Sequence, residues 1–272
     1  MPMHGCASIA AMQTRPLTYV VDPNDPRAPS QELWDRLGDA ERARIIQSLP
    51  TGQDLLPSEG TQHFSDKARV FETLRRHFGR INRRIYVASE LAVSYPGQPS
   101  FCPDILAVAD IDFRPRSRWV VSHEERGIDV VLEVVSPSNR HKDLQRNVEW
   151  YPTLGIPEYF VYDRDDRQLH GFRLSHPGAA TYERIKPLGS GYPSAILGLD
   201  LTLEGDDLRF RHGFASVPDG DELINRLDTA LGEVLSHRDE ANARAAAAEA
   251  GRTEAEARLA EALAELERLR RG

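Results

Sequence analysis

Asp104 stands in the run Pro103-Asp104-Ile105-Leu106-Ala107-Val108, and Glu133 interrupts Ile128-Asp129-Val130-Val131-Leu132-Glu133-Val134-Val135. Both runs otherwise read as buried strands, where a carboxylate is costly unless it is hydrogen-bonded, paired with a cation or bound to a metal. Two such acids in successive strands call for one explanation. A divalent cation shared between them is the sharpest, and pairing with nearby arginines is the alternative. Period-two alternation puts Asp129, Val131, Glu133 and Val135 on one face of the second run and Val130, Leu132 and Val134 on the other. Glu133 is therefore expected to point away from its most apolar neighbours. The polar turn Ser136-Pro137-Ser138-Asn139 follows at the carboxyl end of that strand, where open α/β sheets bind ligands.

The elements that must position these acids can be read from spacing. Val70, Leu74 and Phe78 predict a helix within 59–80, with Arg69, Arg75, Arg76 and Arg80 mainly on its solvated positions. Strand-like runs follow at 84–93, 105–111, 128–135, 158–162, 169–174 and 182–185. Between the third and fourth of these, 142–154 carries Leu144, Val148 and Tyr151 at helical spacing and ends before Gly155-Ile156-Pro157. Strand, helix and returning strand imply a crossover and hence a mixed α/β sheet flanked by helices. Asp163 to Arg167 reads as a polar turn between antiparallel strands, and Asp143 as the cap of a helix starting near Leu144. Tyr151 and Tyr159 are expected to pack the core, and His63 to cap its helix or face solvent, with a catalytic base as the alternative.

Three regions emerge: an accessory segment 1–50, a central domain 51–217 and a helical tail 218–272. The first carries six prolines and an amphipathic stretch in which Leu33, Leu37, Ile45 and Leu49 recur at helical spacings. In the tail, positions 227, 231, 234, 238, 241, 245, 248, 252, 255, 259, 262, 266 and 269 keep a four-three alternation. They read Leu, Leu, Val, Arg, Ala, Ala, Ala, Arg, Ala, Leu, Ala, Leu, Leu. Sustained heptads predict a long helix that forms a coiled coil, with a homo-oligomer through 227–269 as one outcome and a lone helix or a fold-back as others.

Composition bounds the rest. With 40% apolar and 28% charged residues, the 272-residue chain is that of a globular protein. No membrane span or secretory leader is evident, so a cytoplasmic location is expected. Two cysteines, Cys6 and Cys102, provide neither a disulfide framework nor a zinc cluster. The net charge of −8 argues against a uniformly basic nucleic-acid surface, although the 13 acids and 8 arginines of 219–272 account for −5 of it. No zinc finger or helix-turn-helix pattern is present to read bases.

The ordered set Pro103-Asp104, Glu133-Val134-Val135-Ser136-Pro137-Ser138, Lys142-Asp143-Leu144 and Tyr151 with Gly155-Ile156-Pro157-Glu158-Tyr159 resembles the Uma2 family (DUF820) of restriction-endonuclease-like proteins. That family is a branch of the PD-(D/E)XK nuclease superfamily, and the resemblance spans about residues 55 to 204. It implies a restriction-endonuclease-like mixed sheet and a metal-dependent endonuclease that hydrolyses DNA. It further implies magnesium or manganese held by Asp104, Glu133 and the carbonyl of Val134. Lys142 is the candidate for charge stabilisation, Ser138, Asn139 and Arg140 for contacts to the substrate phosphate, and Glu90 for a further metal-site acid. The chain departs from the superfamily pattern where Glu-X-Lys would place lysine, since Val135 stands there. The resemblance to many members of the family also implies a lysine on the following helix, where this chain has Asn147. Only Lys67, Lys142 and Lys186 accompany 31 arginines, which singles out a lysine beside the motif. The alternative function is a nuclease-like scaffold without turnover that recruits partners through its tail.

Overall fold

The computed structural model describes residues 17–56, 60–136 and 139–271. It divides into two compact units, residues 1–217 and 218–272. The chain opens with helices α1 (Gln31–Arg36), α2 (Asp39–Ser48), α3 (Gly52–Leu55) and α4 (Thr61–Arg80). Strands β1 (Ile85–Ser89), β2 (Val93–Ser94), β3 (Ile105–Ala109) and β4 (Trp119–Val120), the short helix α5 (Val121–Glu124) and strand β5 (Val130–Val134) follow. A helical crossover passes through a π turn (Lys142–Arg146), α6 (Asn147–Trp150) and a 3-10 turn (Tyr151–Leu154) to β6 (Glu158–Asp163), β7 (Gln168–Leu174) and β8 (Tyr182–Arg184). Strands β9 (Gly191–Ser194), β10 (Leu199–Glu204), β11 (Asp207–His212) and β12 (Ala215–Ser216) complete the first unit, and helix α7 (Gly220–Arg271) makes up the second.

The main sheet has the order β1-β3-β5-β6-β7-β8. β5 and β6 are parallel, as a helical crossover requires, and the other neighbours are antiparallel. The polar turn expected after Asp163 joins β6 to β7, with Asp163 opposite Gln168 and Arg167 in the left-handed region at φ 52°. β5 and β6 are buried on both faces, so each reads as a nearly continuous apolar run.

One face of the sheet carries Ile105, Val130, Leu132 and Phe160 and is covered by Val70, Leu74 and Phe78 of α4. These three helix residues recur every four positions, which places them on one stripe. The second sheet, β12-β11-β10-β9, adds Leu199, Leu201, Leu208 and Phe210 to the same core. That sheet is not among the strands expected from the sequence. Its signal is a pair of alternating runs, Leu199–Glu204 and Asp207–His212, joined by Gly205-Asp206 in a two-residue hairpin. The opposite face of the main sheet, with Val131, Tyr159, Val161 and Phe172, is covered by Tyr151 and Ile156 of the crossover and by Trp119.

The amphipathic stretch near the N-terminus is two helices rather than one, because the backbone turns extended at Leu37. Trp34, Leu37, Ile45 and Leu49 pack with Val21, Ala28 and Val120 into a third cluster. The Arg118 guanidinium donates to the carbonyls of Ile46 and Leu49, closing the end of α2. Helix α7 spans 52 residues, none of them buried. Among the described residues no helix is long and apolar enough to cross a membrane.

Trp34 is 3% exposed and anchors the third cluster. Trp34→Ala is expected to lower unfolding stability by about 3 to 5 kcal/mol in a denaturant titration. A loss under about 1 kcal/mol would mean that this segment is not packed onto the unit.

Candidate active site

β3 and β5 are antiparallel with Ile105 opposite Leu132, Leu106 opposite Val131 and Ala107 opposite Val130. Continued by one residue, this register sets Asp104 opposite Glu133, and directly opposed side chains share a face. Each acid binds the other's strand. The Asp104 N–H donates to Glu133 Oε2 at 3.1 Å, and the Val134 N–H donates to Asp104 Oδ2 at 2.7 Å. Asp104 is 7% exposed and Glu133 1%. The Tyr151 hydroxyl donates to Glu133 Oε1 at 3.0 Å.

Glu133 lies on the Val131 side of its strand, as alternation requires, but not away from apolar neighbours. Val131, Tyr151, Tyr159 and Val161 bury that face as completely as the other, because β5 is central in a sheet covered on both sides. Tyr151 and Tyr159 pack in the core as expected and also hold polar groups. The Tyr159 hydroxyl donates to the Asp143 carbonyl at 2.8 Å.

Basic side chains approach from two directions. His63 and Lys67 project from the start of α4, with His63 Nε2 at 3.6 Å and Lys67 Nζ at 3.7 Å from Asp104 Oδ1. His63 therefore turns to the acid pair rather than to solvent or its own helix end. Lys67, 2% exposed, also pairs with Glu90. From the crossover, Lys142 Nζ lies 3.9 Å from Glu133 Oε1 and 3.1 Å from Asp143 Oδ1. The π turn that carries Lys142 is closed by the Asn147 N–H on the Lys142 carbonyl, a wider turn of a kind common at functional sites.

Asp143 does not cap a helix. The helical backbone already begins at Arg140, and the Asp143 side chain is buried, accepting from Asn147 Nδ2 at 3.3 Å. Asn147 is thus tied to the Asp143 carboxyl. Glu90 adopts φ 53°, uncommon for a residue with a side chain, and its N–H donates to the Asp104 carbonyl at 3.1 Å. A Cβ at Gly52 would lie 2.1 Å from the Glu90 carbonyl oxygen, so only glycine lets α3 pack here.

A cleft of about 570 Å³ opens over these groups, lined among others by Leu55 and Leu56, His63, Lys67, Asp104, Ser136, Asn139, Lys142 and Trp150. Asn139 is on its wall as the substrate-contact expectation requires, whereas Arg140 is directed elsewhere, pairing with Asp163 and Asp166 at the β6–β7 turn. Ser138 lies outside the described residues. Cys102 also lines the cleft, and burial, reinforced by Glu133, Glu90 and Asp104, pushes its thiol up to about 12. It is a thiol rather than a thiolate at neutral pH.

Burial and the facing Asp104 hold the Glu133 carboxyl well above the usual range. Burial acts the same way on Asp104, but His63, the Val134 N–H and Lys67 outweigh it and keep that carboxyl low. The two acids are thus driven apart, one ready to ionise and one retaining its proton, as expected of like charges placed together. Lys142 is pulled down by burial and more strongly up by Glu133 and Asp143, so it stays charged. Burial raises Asp143 to about 6 against the pull of Lys142.

Lys67 and Asp143 were not assigned to this centre from sequence, and His63 only as an alternative. For Lys67 the signal was present, since the rarity of lysine that singles out Lys142 applies to it equally. For Asp143, a side chain's direction inside a turn depends on the turn being π rather than α, which no local pattern announced.

The family model Uma2, described as "Putative restriction endonuclease", matches residues 36–204. Among solved structures, the chain is similar to a crystal structure from Anabaena variabilis titled as "a putative nuclease belonging to DUF820". The identity is 14% and the TM-score 0.43, over 55% of this chain and 82% of that one. No curated protein matches the chain.

Asp143 retains its proton to a higher pH in the folded protein than in the unfolded chain. Its contribution to stability is therefore present below about pH 4 and is lost as pH rises through about 6. Asp143→Asn removes this loss. The melting temperature of the variant relative to the native chain, in metal-free buffer, is expected to rise between pH 4 and 7. A difference independent of pH would refute the assignment.

Proposed function

This chain belongs to the Uma2 family, and on that premise we propose that it is a divalent-metal-dependent nuclease hydrolysing phosphodiester bonds in DNA. The observation that carries the reading is the convergence of the Asp104 and Glu133 carboxyls from opposed strands, with Asp104 lining a cleft that Lys67 and Lys142 also line and Glu133 buried beside it. Two acids opposed in a buried sheet repel unless one keeps its proton or a cation joins them, so the pair suits a bound cation. Hard oxygen donors suit magnesium or manganese in particular.

The Asp104 and Glu133 carboxylates and the Val134 carbonyl would hold the ion. A strand residue directs its N–H and C=O to the same side, and the Val134 N–H points to Asp104. Among the described residues no cluster of three or more His, Cys, Asp or Glu side chains forms a metal site. Two carboxylates and a carbonyl leave the remaining positions to water, which magnesium tolerates well. When bound, the ion polarises the phosphate and lowers the pKa of water.

The chain's own groups do the rest. Tyr151 fixes the rotamer of Glu133 through its hydroxyl, so the carboxyl is oriented before any ligand arrives. Lys142, 38% exposed on the cleft wall and held charged by Glu133 and Asp143, offers its ammonium to the charge that develops on the phosphate oxygens. The Asn139 side chain adds a neutral donor at the rim. Arg140, occupied by two aspartates, is left out of this role.

A second reading rests on Lys67. An ammonium beside Asp104 and Glu90 balances charge with no metal present, and Val135 and Asn147 stand at the two expected lysine positions. These features favour a nuclease-like scaffold without turnover.

Metal titration separates the readings. Magnesium or manganese at about a hundred times its Kd is expected to stabilise the native chain by about 2.7 kcal/mol, read as a rise in melting temperature. Asp104→Ala should abolish the rise. Cleavage of plasmid and of single-stranded DNA should fall about a hundredfold or more in Glu133→Gln and Lys142→Ala. No thermal response to either metal would favour the scaffold, and equal cleavage by all three chains would identify a contaminant.

A further inference from the structure

Helix α7 presents its apolar side chains in two groups. Leu231, Val234 and Leu235 lie near its start and Leu259, Leu263, Leu266 and Leu269 near its end, all between 39% and 73% exposed. The stretch between carries alanine at 241, 245, 248 and 255 of the heptad seam, with Arg238 and Arg252 as its only charged members. At about 1.5 Å per residue the 52-residue helix is about 78 Å long. A helix of that length with exposed leucines at both ends is built to be covered over its whole length.

We propose that α7 is the interface with a second copy of this chain, in an antiparallel two-fold coiled coil that sets Leu231 opposite the partner's Leu269. A closed pair of identical helices has two arrangements. If parallel, two-fold symmetry puts every seam residue against its own copy. Arg238 then meets the partner's Arg238 and Arg252 the partner's Arg252, two layers of like charge within the seam. Leu235 and Leu263, one position outside the seam, would lie beside the partner's Ala230 and the partner's Arg258.

The antiparallel arrangement removes these conflicts in one register. Leu231 faces the partner's Leu269, and Val234 the partner's Leu266. Arg238 faces the partner's Ala262 and Arg252 the partner's Ala248, where a small opposing side chain lets the guanidinium reach solvent. In the same register the two flanking leucines find each other, Leu235 against the partner's Leu263. Asp228 falls beside the partner's Arg270, and His237 beside the partner's Glu265. Sliding by one heptad sets Leu235 against the partner's Glu256 and Asp228 against the partner's Leu263, losing both matches. The unfavourable flanks of the chosen register are Arg244 with the partner's Arg258 and Glu249 with its own copy. Both are solvent-exposed, where such repulsion is screened. The central layers of alanine allow close approach of the two backbones, and the leucine groups seal both ends. The proposal concerns the tail and does not depend on the nuclease reading.

The test uses full-length chains. One population carries Leu231→Cys and another Leu269→Cys, and the two are mixed, oxidised and digested, with cross-linked peptides identified by mass. The antiparallel pair predicts disulfides between position 231 and position 269 in at least tenfold excess over those joining like positions. Light scattering of the unmodified protein should give twice the chain mass. Predominant 231–231 and 269–269 links, a monomer at tens of micromolar, or a trimer would each overturn the proposal. Both substituted residues are exposed, so failure to fold does not confuse the result.

Discussion

Repulsion between two carboxyls held opposite one another in a buried antiparallel pair governs the centre of this molecule. β3 and β5 need their register to bury Ile105, Ala107, Val130 and Leu132 together, and that register leaves Asp104 facing Glu133. Slipping the strands by one residue would separate the acids but turn every apolar side chain to the wrong face. The packing of the sheet therefore imposes the electrostatic problem. The surrounding groups answer it unequally, with His63, Lys67 and a backbone N–H holding Asp104 ionised, and burial and the facing Asp104 leaving Glu133 with its proton.

Several departures from ordinary local structure cluster around this pair. Glu90 sits at positive φ, the crossover opens with a π turn, and Gly52 brings α3 against the Glu90 carbonyl. Each is locally unfavourable or restrictive, and each places a wall or a charged group over the acids. Left-handed backbone also occurs at turns such as that of Arg167, but here three different departures meet around one pair of acids, the pattern expected where a site has been shaped at some cost to local preference.

The two units draw their stability from different sources. The first buries both faces of its main sheet, under α4 and the small sheet on one side and the crossover on the other. The second is one helix without a buried residue, supported by alanine-rich composition and by i,i+4 ion pairs such as Arg258 with Glu254. Helix propensity alone supports such an element weakly, which is why its exposed leucines have structural meaning.

Much of this was legible in the chain itself. Period-two and period-3.6 patterns located the six strands of the main sheet, α4 and the crossover, because burial of one face leaves a regular trace in composition. The Pro-Asp and Glu positions were recognisable for the opposite reason, as acids interrupting that trace. The small sheet was missed because its hairpin runs are short and partly polar, and the N-terminal helices were joined because the break at Leu37 lies at an apolar residue. The ion pairs of Arg140, the inward turn of Asp143 and the approach of Lys67 were settled only by the tertiary structure. A side chain's partners across 20 or more residues depend on how elements pack, and nothing in the local sequence records which distant charge a long flexible side chain will meet.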